Sequence, residues 1–146
     1  MKESCKITKL TTFEEMLPSY PLIRHLTPSL SEGTYSRYLR RMIGHNYFQV
    51  AVLRNNELIG VSGYWLLTKL YSGPYLEIDN FVVDEAYRDK GIGKMILDWL
   101  EQEAIDNHCA VMMLDAYVEN HPAHKFYFRH GFIVKGFHFL KQLKAT

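Results

Sequence analysis

Cysteine, long apolar runs and net charge are all scarce in this sequence. Cys5 and Cys109 are the two thiols in 146 residues, far apart and without C-x-x-C spacing, which argues against a disulfide framework and a cysteine-built metal centre. No apolar run approaches the ~20 residues of a membrane-spanning helix, so no membrane association is expected. The opening stretch MKESCKITKL does not read as a secretory leader, and a cytoplasmic, reducing compartment is the expectation. Seventeen Lys and Arg against sixteen Asp and Glu give a net charge of +1, which offers no bulk attraction for nucleic acid or an anionic membrane. Internal repeats, low-complexity tracts and linkers are also missing. With 47% hydrophobic and 14% aromatic residues, residues 1–146 are expected to form one domain with a real core rather than a disordered chain. Function must then lie in a local site.

The densest signal runs from Tyr75 to Gly93, YLEIDNFVVDEAYRDKGIG. An apolar run carrying Glu77 and Asp79 leads through a turn-like stretch to Arg88-Asp89-Lys90-Gly91-Ile92-Gly93. The residues that follow place Ile92, Met95, Ile96, Trp99 and Leu100 at helical spacing, an amphipathic helix. Gly91 and Gly93 remove two side chains where the backbone enters that helix, so its first N–H groups, which have no partner within the helix, can approach an anion closely. Arg88, Lys90 and Lys94 add positive charge, and a phosphate group fits there. Taken alone, G-x-G reads rather as a turn that needs glycine, with solvated basic residues at its rim. Neither G-x-G-x-x-G nor G-x-x-x-x-G-K-[ST] occurs.

The remaining elements read in order. Lys6 to Leu10 is a short strand, and Thr12-Phe13-Glu14-Glu15 has capping-box spacing ahead of a helix that Pro18 and Pro21 break across residues 13 to 26. A second helix is expected from Ser31 to Gly44, with Tyr35, Tyr38, Leu39, Met42 and Ile43 as its apolar stripe. Tyr47 to Leu53 and Leu58 to Leu67 form a hairpin whose turn is Asn55-Asn56, because asparagine tolerates positive φ. Ala110 to Val118 has the length and apolar content of a buried strand, which with Tyr75 to Val83 and the intervening helix makes a βαβ unit with its parallel pair at the centre of the sheet. Pro122 is expected at the first position of the next helix, Ala123, Phe126 and Tyr127 are its buried stripe, and Gly131 ends it in a left-handed cap. Phe132 to Leu143 is expected as a closing hairpin.

Phe81-Val82-Val83 followed by Arg88 and Lys90-Gly91-Ile92-Gly93 resembles the coenzyme A pyrophosphate loop of the GNAT acyltransferases, [RQ]-x-x-G-x-[GA] after a strand. A second stretch, Asn120-His121-Pro122-Ala123-His124-Lys125-Phe126-Tyr127-Phe128-Arg129-His130-Gly131-Phe132, resembles the family's N-x-x-A-x-x-[LF]-Y-x-x-x-G-F. The element order resembles the GNAT fold over nearly the whole chain, with the specific motifs confined to residues 75 to 137. The resemblance implies an α+β sandwich: a mixed sheet of six to seven strands, splayed between two central parallel strands and flanked by about four helices. It also implies acetyl-CoA as cosubstrate, no metal, and a primary amine of a small molecule as acceptor. A homodimer is compatible with it.

Direct acetyl transfer needs a base for the ammonium, a donor for the oxyanion and an acid for the leaving thiolate. Glu77 and Asp79 are two apart on a strand and share a face. Glu77 lies eleven residues before Arg88, the spacing of the base in histone-type members, and Asp79 two before Phe81, where polyamine-type members place an acid. Either serves, directly or through water; two solvated acids on an edge strand are the plainer alternative. By resemblance, a backbone N–H near Phe81 at a strand bulge meets the oxyanion. The main chain of Phe81, Val82 and Val83 pairs with the pantetheine arm, and residues 88 to 94 grip the diphosphate. Tyr127 matches the general acid, against a plain core aromatic, and Asn120 matches a cofactor-arm contact, against ordinary turn chemistry before Pro122. The spacing of His121, His124 and His130 does not gather them on one helical face, so a metal site is not expected. Protein or peptide amines are the alternative acceptors. An acyl-CoA-binding regulator without turnover is the alternative of another class.

Overall fold

The computed structural model describes residues 4–144, so the first three residues of the opening stretch lie outside it. Those residues fall into two compact units, one ending at Leu114 and one beginning at Asp115. The first unit is built on a sheet of order β1 (Cys5–Leu10), β2 (Tyr47–Arg54), β3 (Glu57–Lys69), β4 (Gly73–Val83) and β5 (Val111–Leu114). The first three pairings are antiparallel, and β4 with β5 is parallel. Asn55 and Asn56 both take positive φ, 53° and 64°, as a two-residue hairpin between right-twisted strands requires.

Three expectations need correction. The sheet of the described residues has five strands rather than six to seven. The parallel pair lies at one end of it rather than at its centre, and β5 covers four residues instead of Ala110 to Val118. The closing hairpin does not form: residues 132–144 contain no strand, and Ile133, Phe137, Phe139 and Leu140 are exposed. An alternating pattern makes a strand only where a ladder partner takes up its backbone groups, and these residues have none.

Helices cover both faces of the sheet. On one face, the capping box of Thr12 and Glu15 starts α1 (Phe13–Met16), and a 3-10 turn at Leu17–Ser19 carrying Pro18 joins it to α2 (Tyr20–Ile23), the broken helix that the two prolines dictate. Ser31 caps α3 (Glu32–Ile43). Met16, Leu22, Ile23, Tyr35 and Leu39 pack with Tyr47, Val61 and Val82 into one buried cluster. Tyr38, expected in the stripe of α3, is instead half exposed beneath Arg37. On the other face, α4 (Ile92–Asp106) buries Ile92, Ile96, Leu97 and Leu100. A Cβ on Gly60 would come within 3.1 Å of both Ile92 and Ile96, so that glycine lets α4 lie close on β3. Lower down, Glu103 Oε2 accepts from Lys9 Nζ and Tyr64 Oη, both at 2.7 Å, tying α4 to β1 and β3.

The second unit holds α5 (His121–Arg129), with His121 rather than Pro122 as its first residue. Its end is a Schellman motif. Gly131 takes φ +91°, its N–H donates to the Phe128 carbonyl at 3.2 Å, and the Phe132 N–H donates to that of Tyr127 at 3.0 Å.

Candidate active site

Strand β4 organises the site residues of the first unit. It pairs with β3 on one side and with β5 on the other, so Glu77 and Asp79 are not on an edge strand. Glu77 faces Trp65 and Asp79 faces Gly63 across the β3 ladder. Both acids therefore share the face that carries Tyr47, Gln49 and Trp65 and packs beneath α1–α3. The indole Nε1 of Trp65 donates to Asp79 Oδ2 at 3.0 Å, which fixes that carboxylate. Both acids are half-buried.

Just beyond Asp79 the register breaks. Val61 pairs with Val82 but Gly63 with Asp79, so Asn80 and Phe81 together oppose the single residue Ser62. This two-against-one arrangement is a β-bulge, the feature the resemblance implied near Phe81. Asn80 takes the left-handed conformation there, with φ +55°. The bulge has a packing consequence: Asp79 and Val82, three apart, lie on the same face, and Val82 reaches the cluster beneath α1–α3. The parallel ladder with β5 stops at Ile78–Leu114, so the bulged part of β4 lies past the last pair of that ladder.

After Val83, Asp84 caps a 3-10 turn at Glu85–Tyr87, with its Oδ1 accepting from the Ala86 N–H at 2.9 Å. Arg88 is extended, Asp89 takes φ +61° and Gly91 φ +82°. Two left-handed steps within three residues bend the main chain sharply where it enters α4. Gly91 is the N-cap of α4 and, having no side chain, leaves the start of that helix without a side-chain cap. Arg88 and Lys90 are exposed at the loop; Lys94 Nζ instead lies 2.7 Å from Asp98 Oδ2. That solvent-facing pair is worth at most about 0.5 kcal/mol and yields readily to a stronger anion. Ile92 points away into the core, so of the loop residues it serves packing with its side chain. A groove of about 660 Å³ is lined by Pro21, Arg24, His25, Pro28, Glu85 and Arg88, three basic residues against one acid.

The second unit holds Asn120 and Tyr127. Asn120 Oδ1 accepts from the Ala123 N–H at 3.3 Å, so the side chain caps α5, the turn chemistry weighed against a cofactor contact. The ring of Tyr127 packs edge-on to Phe126 and Phe132, at 5.2 and 5.5 Å between centroids. Burial pushes its phenol up to about 12. His124 donates from Nε2 to the Tyr117 carbonyl at 2.8 Å, a bond back to the segment ahead of α5.

Sequence reasoning passed over Asn80, Trp65, Tyr47, Gln49 and Tyr35, which surround the bulge. One signal was present: an asparagine inside a strand is the residue that tolerates a left-handed step.

Residues 10–132 match the family model described as "Acetyltransferase (GNAT) family". An uncharacterized N-acetyltransferase of Bacillus subtilis, YhdJ, is 28% identical over 91% of this chain and 95% of its own length. The aminoalkylphosphonate N-acetyltransferase of Salmonella typhimurium is 28% identical over 95% of this chain and 92% of its own. Among solved structures, an aminoglycoside acetyltransferase from a soil metagenomic sample superposes with a TM-score of 0.82 at 20% identity, covering 97% of this chain and 98% of that one. Glucosamine-6-phosphate N-acetyltransferase from Arabidopsis thaliana gives 0.73 at 22% identity, over 96% and 99%.

Proposed function

We propose, starting from the fact that this chain belongs to the GNAT family of acetyltransferases, that it transfers the acetyl group of acetyl-CoA directly to the primary amine of a small molecule within a ternary complex. The observation that carries the reading is the continuity of β4: two half-buried acids, a bulge, and then a glycine-started helix whose first turn has no side-chain cap. A diphosphate fits the start of α4 at Gly91, where N–H groups without a side-chain cap and the helix dipole favour negative charge. Arg88, Lys90 and Gly93 complete that grip. Lys94 joins by leaving Asp98.

Acetyl-CoA supplies an activated acetyl thioester; the chain supplies positioning and protons. Glu77 and Asp79 hold the ammonium of the acceptor and take its proton, directly or through water. The indole of Trp65 holds the Asp79 carboxylate in place. Main-chain groups of the bulge, around Phe81, meet the negative charge that develops on the thioester oxygen, and Val82 and Val83 continue the strand along the pantetheine arm. Tyr127, whose pKa is pushed up to about 12 by burial, remains a neutral phenol at working pH and donates to the leaving sulfur. Asn120, with its oxygen engaged as a cap, keeps its amide N–H groups for the cofactor arm.

The acceptor is best read as an amine that also bears an acidic group. The relative from Salmonella typhimurium is an aminoalkylphosphonate N-acetyltransferase. The test is thiol release from acetyl-CoA across a panel of aminoalkylphosphonates, amino acids, aminoglycosides, polyamines and peptide amines. Turnover with the first two classes is expected. Turnover confined to peptides would move the acceptor to protein amines. Coenzyme binding without release for any amine would make the chain an acyl-CoA-binding regulator.

A further inference from the structure

Beneath the bulge lies a directed chain of hydrogen bonds that none of the roles above uses. Gln49 is fully buried on β2, and its amide nitrogen donates one N–H to the Tyr47 hydroxyl and the other to that of Tyr35, each at 3.1 Å. Each phenol then passes its own proton on. Tyr35 donates to the Met16 carbonyl at 2.7 Å, and Tyr47 donates to Asn80 Oδ1 at 3.1 Å. The order is fixed by the groups available: an amide nitrogen only donates, and a hydroxyl that accepts from it has its proton free for another acceptor.

Two further features belong to the same chain. Gln49 Oε1 is buried with no hydrogen-bond partner among the described residues. Such an atom destabilises the fold, and a core shaped only for stability would fill the place with an apolar residue. The second is Gly63. A Cβ there would overlap the Tyr47 hydroxyl and lie 2.7 Å from its ring carbons Cε1 and Cζ, so the phenol crosses β3 at the one residue type that leaves room for it. The ring of Tyr47 is thereby guided from β2 over β3 to β4, where its hydroxyl holds the side chain of a residue at φ +55°. Burial also raises the Tyr47 pKa far above the phenol's ordinary value, so its proton stays in place as a donor.

We propose that Tyr47 is a positioning residue for acetyl transfer: held by Gln49 and given passage by Gly63, its hydroxyl fixes Asn80 in the left-handed conformation and so aims the main chain of the β4 bulge at the thioester carbonyl. This rests on the acetyl-transfer reading above and adds to it what sets the bulge. Tyr47 does not touch the substrate; it acts through Asn80.

Tyr47→Phe removes the hydroxyl and keeps the ring. The expected result is a fall in kcat of roughly 10- to 100-fold, less than the loss of an oxyanion donor itself, with KM for acetyl-CoA and the Kd of coenzyme A within about twofold of the parent. The amide ¹⁵N shifts of Asn80 and Phe81 move as well. In an Asn80→Gly background the anchor is unnecessary, because glycine adopts positive φ unaided, so adding Tyr47→Phe there leaves kcat unchanged. A kcat within twofold of the parent in Tyr47→Phe overturns the proposal, and so does an equal further loss in the Asn80→Gly background. A merely structural role would lower the unfolding midpoint in both backgrounds without this split between kcat and KM. If the parent releases no thiol with any amine, the acetyl-transfer reading fails and the positioning role falls with it. The ¹⁵N shifts then report only whether Tyr47 anchors Asn80.

Discussion

Replacing Gly91 by alanine puts a methyl group on the residue from which α4 departs. Gly91 holds φ 82° and ψ 8°, and an L side chain in that region costs about 1–2 kcal/mol. Unwinding the first turn of α4 would relieve the strain but expose Ile92, which is buried and worth about 1.5–3 kcal/mol in that state. The strain is therefore retained, and the urea-unfolding free energy should fall by about 1–2 kcal/mol with the fold intact. Binding changes for a separate reason. The added methyl at the entry to α4 is expected to displace the diphosphate from at least one N–H, and a hydrogen bond to a charged group contributes about 1.5–3 kcal/mol. At about 1.4 kcal/mol per decade, the Kd of coenzyme A should rise about 10- to 100-fold, as read by titration calorimetry. Gly33→Ala is the control: an added Cβ on that exposed helical residue meets nothing within 4 Å, so stability should hold or rise by up to about 1 kcal/mol with an unchanged Kd. A Gly91→Ala protein that loses stability as expected yet binds coenzyme A within twofold of the parent refutes the loop as the diphosphate site.

Tyr127→Phe keeps the ring contacts with Phe126 and Phe132 and removes the acid, so kcat should drop by about 100-fold or more while the Kd of coenzyme A holds; equal kcat takes this phenol out of the mechanism. With its pKa pushed up to about 12, loss of the Tyr127 proton should produce no alkaline fall in kcat below about pH 10.5, and a fall near pH 9 that disappears in Tyr127→Phe would contradict the burial argument. Stability has its own alkaline limit. Tyr47 and Tyr64 are buried, and burial foremost raises both far above the ordinary value of 10.0, with the bond to Glu103 adding to the rise at Tyr64. Folded values above unfolded ones mean that the contribution is whole below about pH 10 and is lost as pH rises toward the folded values, at about 1.4 kcal/mol per pH unit for each phenol. Urea titrations at about pH 9, 10.5 and 11.5 should therefore show a decline that is shallower by one phenol's share in Tyr64→Phe; parallel declines refute the assignment.

Whatever depended on neighbouring residues could be read from the sequence. The capping box of Thr12 and Glu15, the asparagine turn at residues 55 and 56, the proline-broken first helix, the stripe of α4 and the left-handed cap at Gly131 all form as their local chemistry dictates. The strand ending at Leu114 and the missing hairpin after Phe132 show the other side. Periodicity states that a segment is able to be a strand, but a strand exists only where a second segment accepts its backbone hydrogen bonds, and that partner is not encoded nearby.

The same distinction divides the site. Glu77, Asp79, Arg88 and Gly91 fall within one short run, and their kinship is visible as spacing. Tyr35, Tyr47, Gln49, Gly63 and Asn80 come from a helix and three strands, and their kinship is a register: Gln49 opposite Gly63, Gly63 opposite Asp79, and then one residue too many on β4. Had the ladder run on without that extra residue, Asn80 would turn its side chain to the face of α4, away from Tyr47, and Val82 would follow it. The bulge is therefore both what the tyrosine holds and what brings the asparagine within its reach. Asn80→Leu makes that dependence measurable: it removes the acceptor and a side chain that tolerates left-handed φ together, so it should lower both kcat and the unfolding midpoint by more than Tyr47→Phe, which leaves that side chain in place.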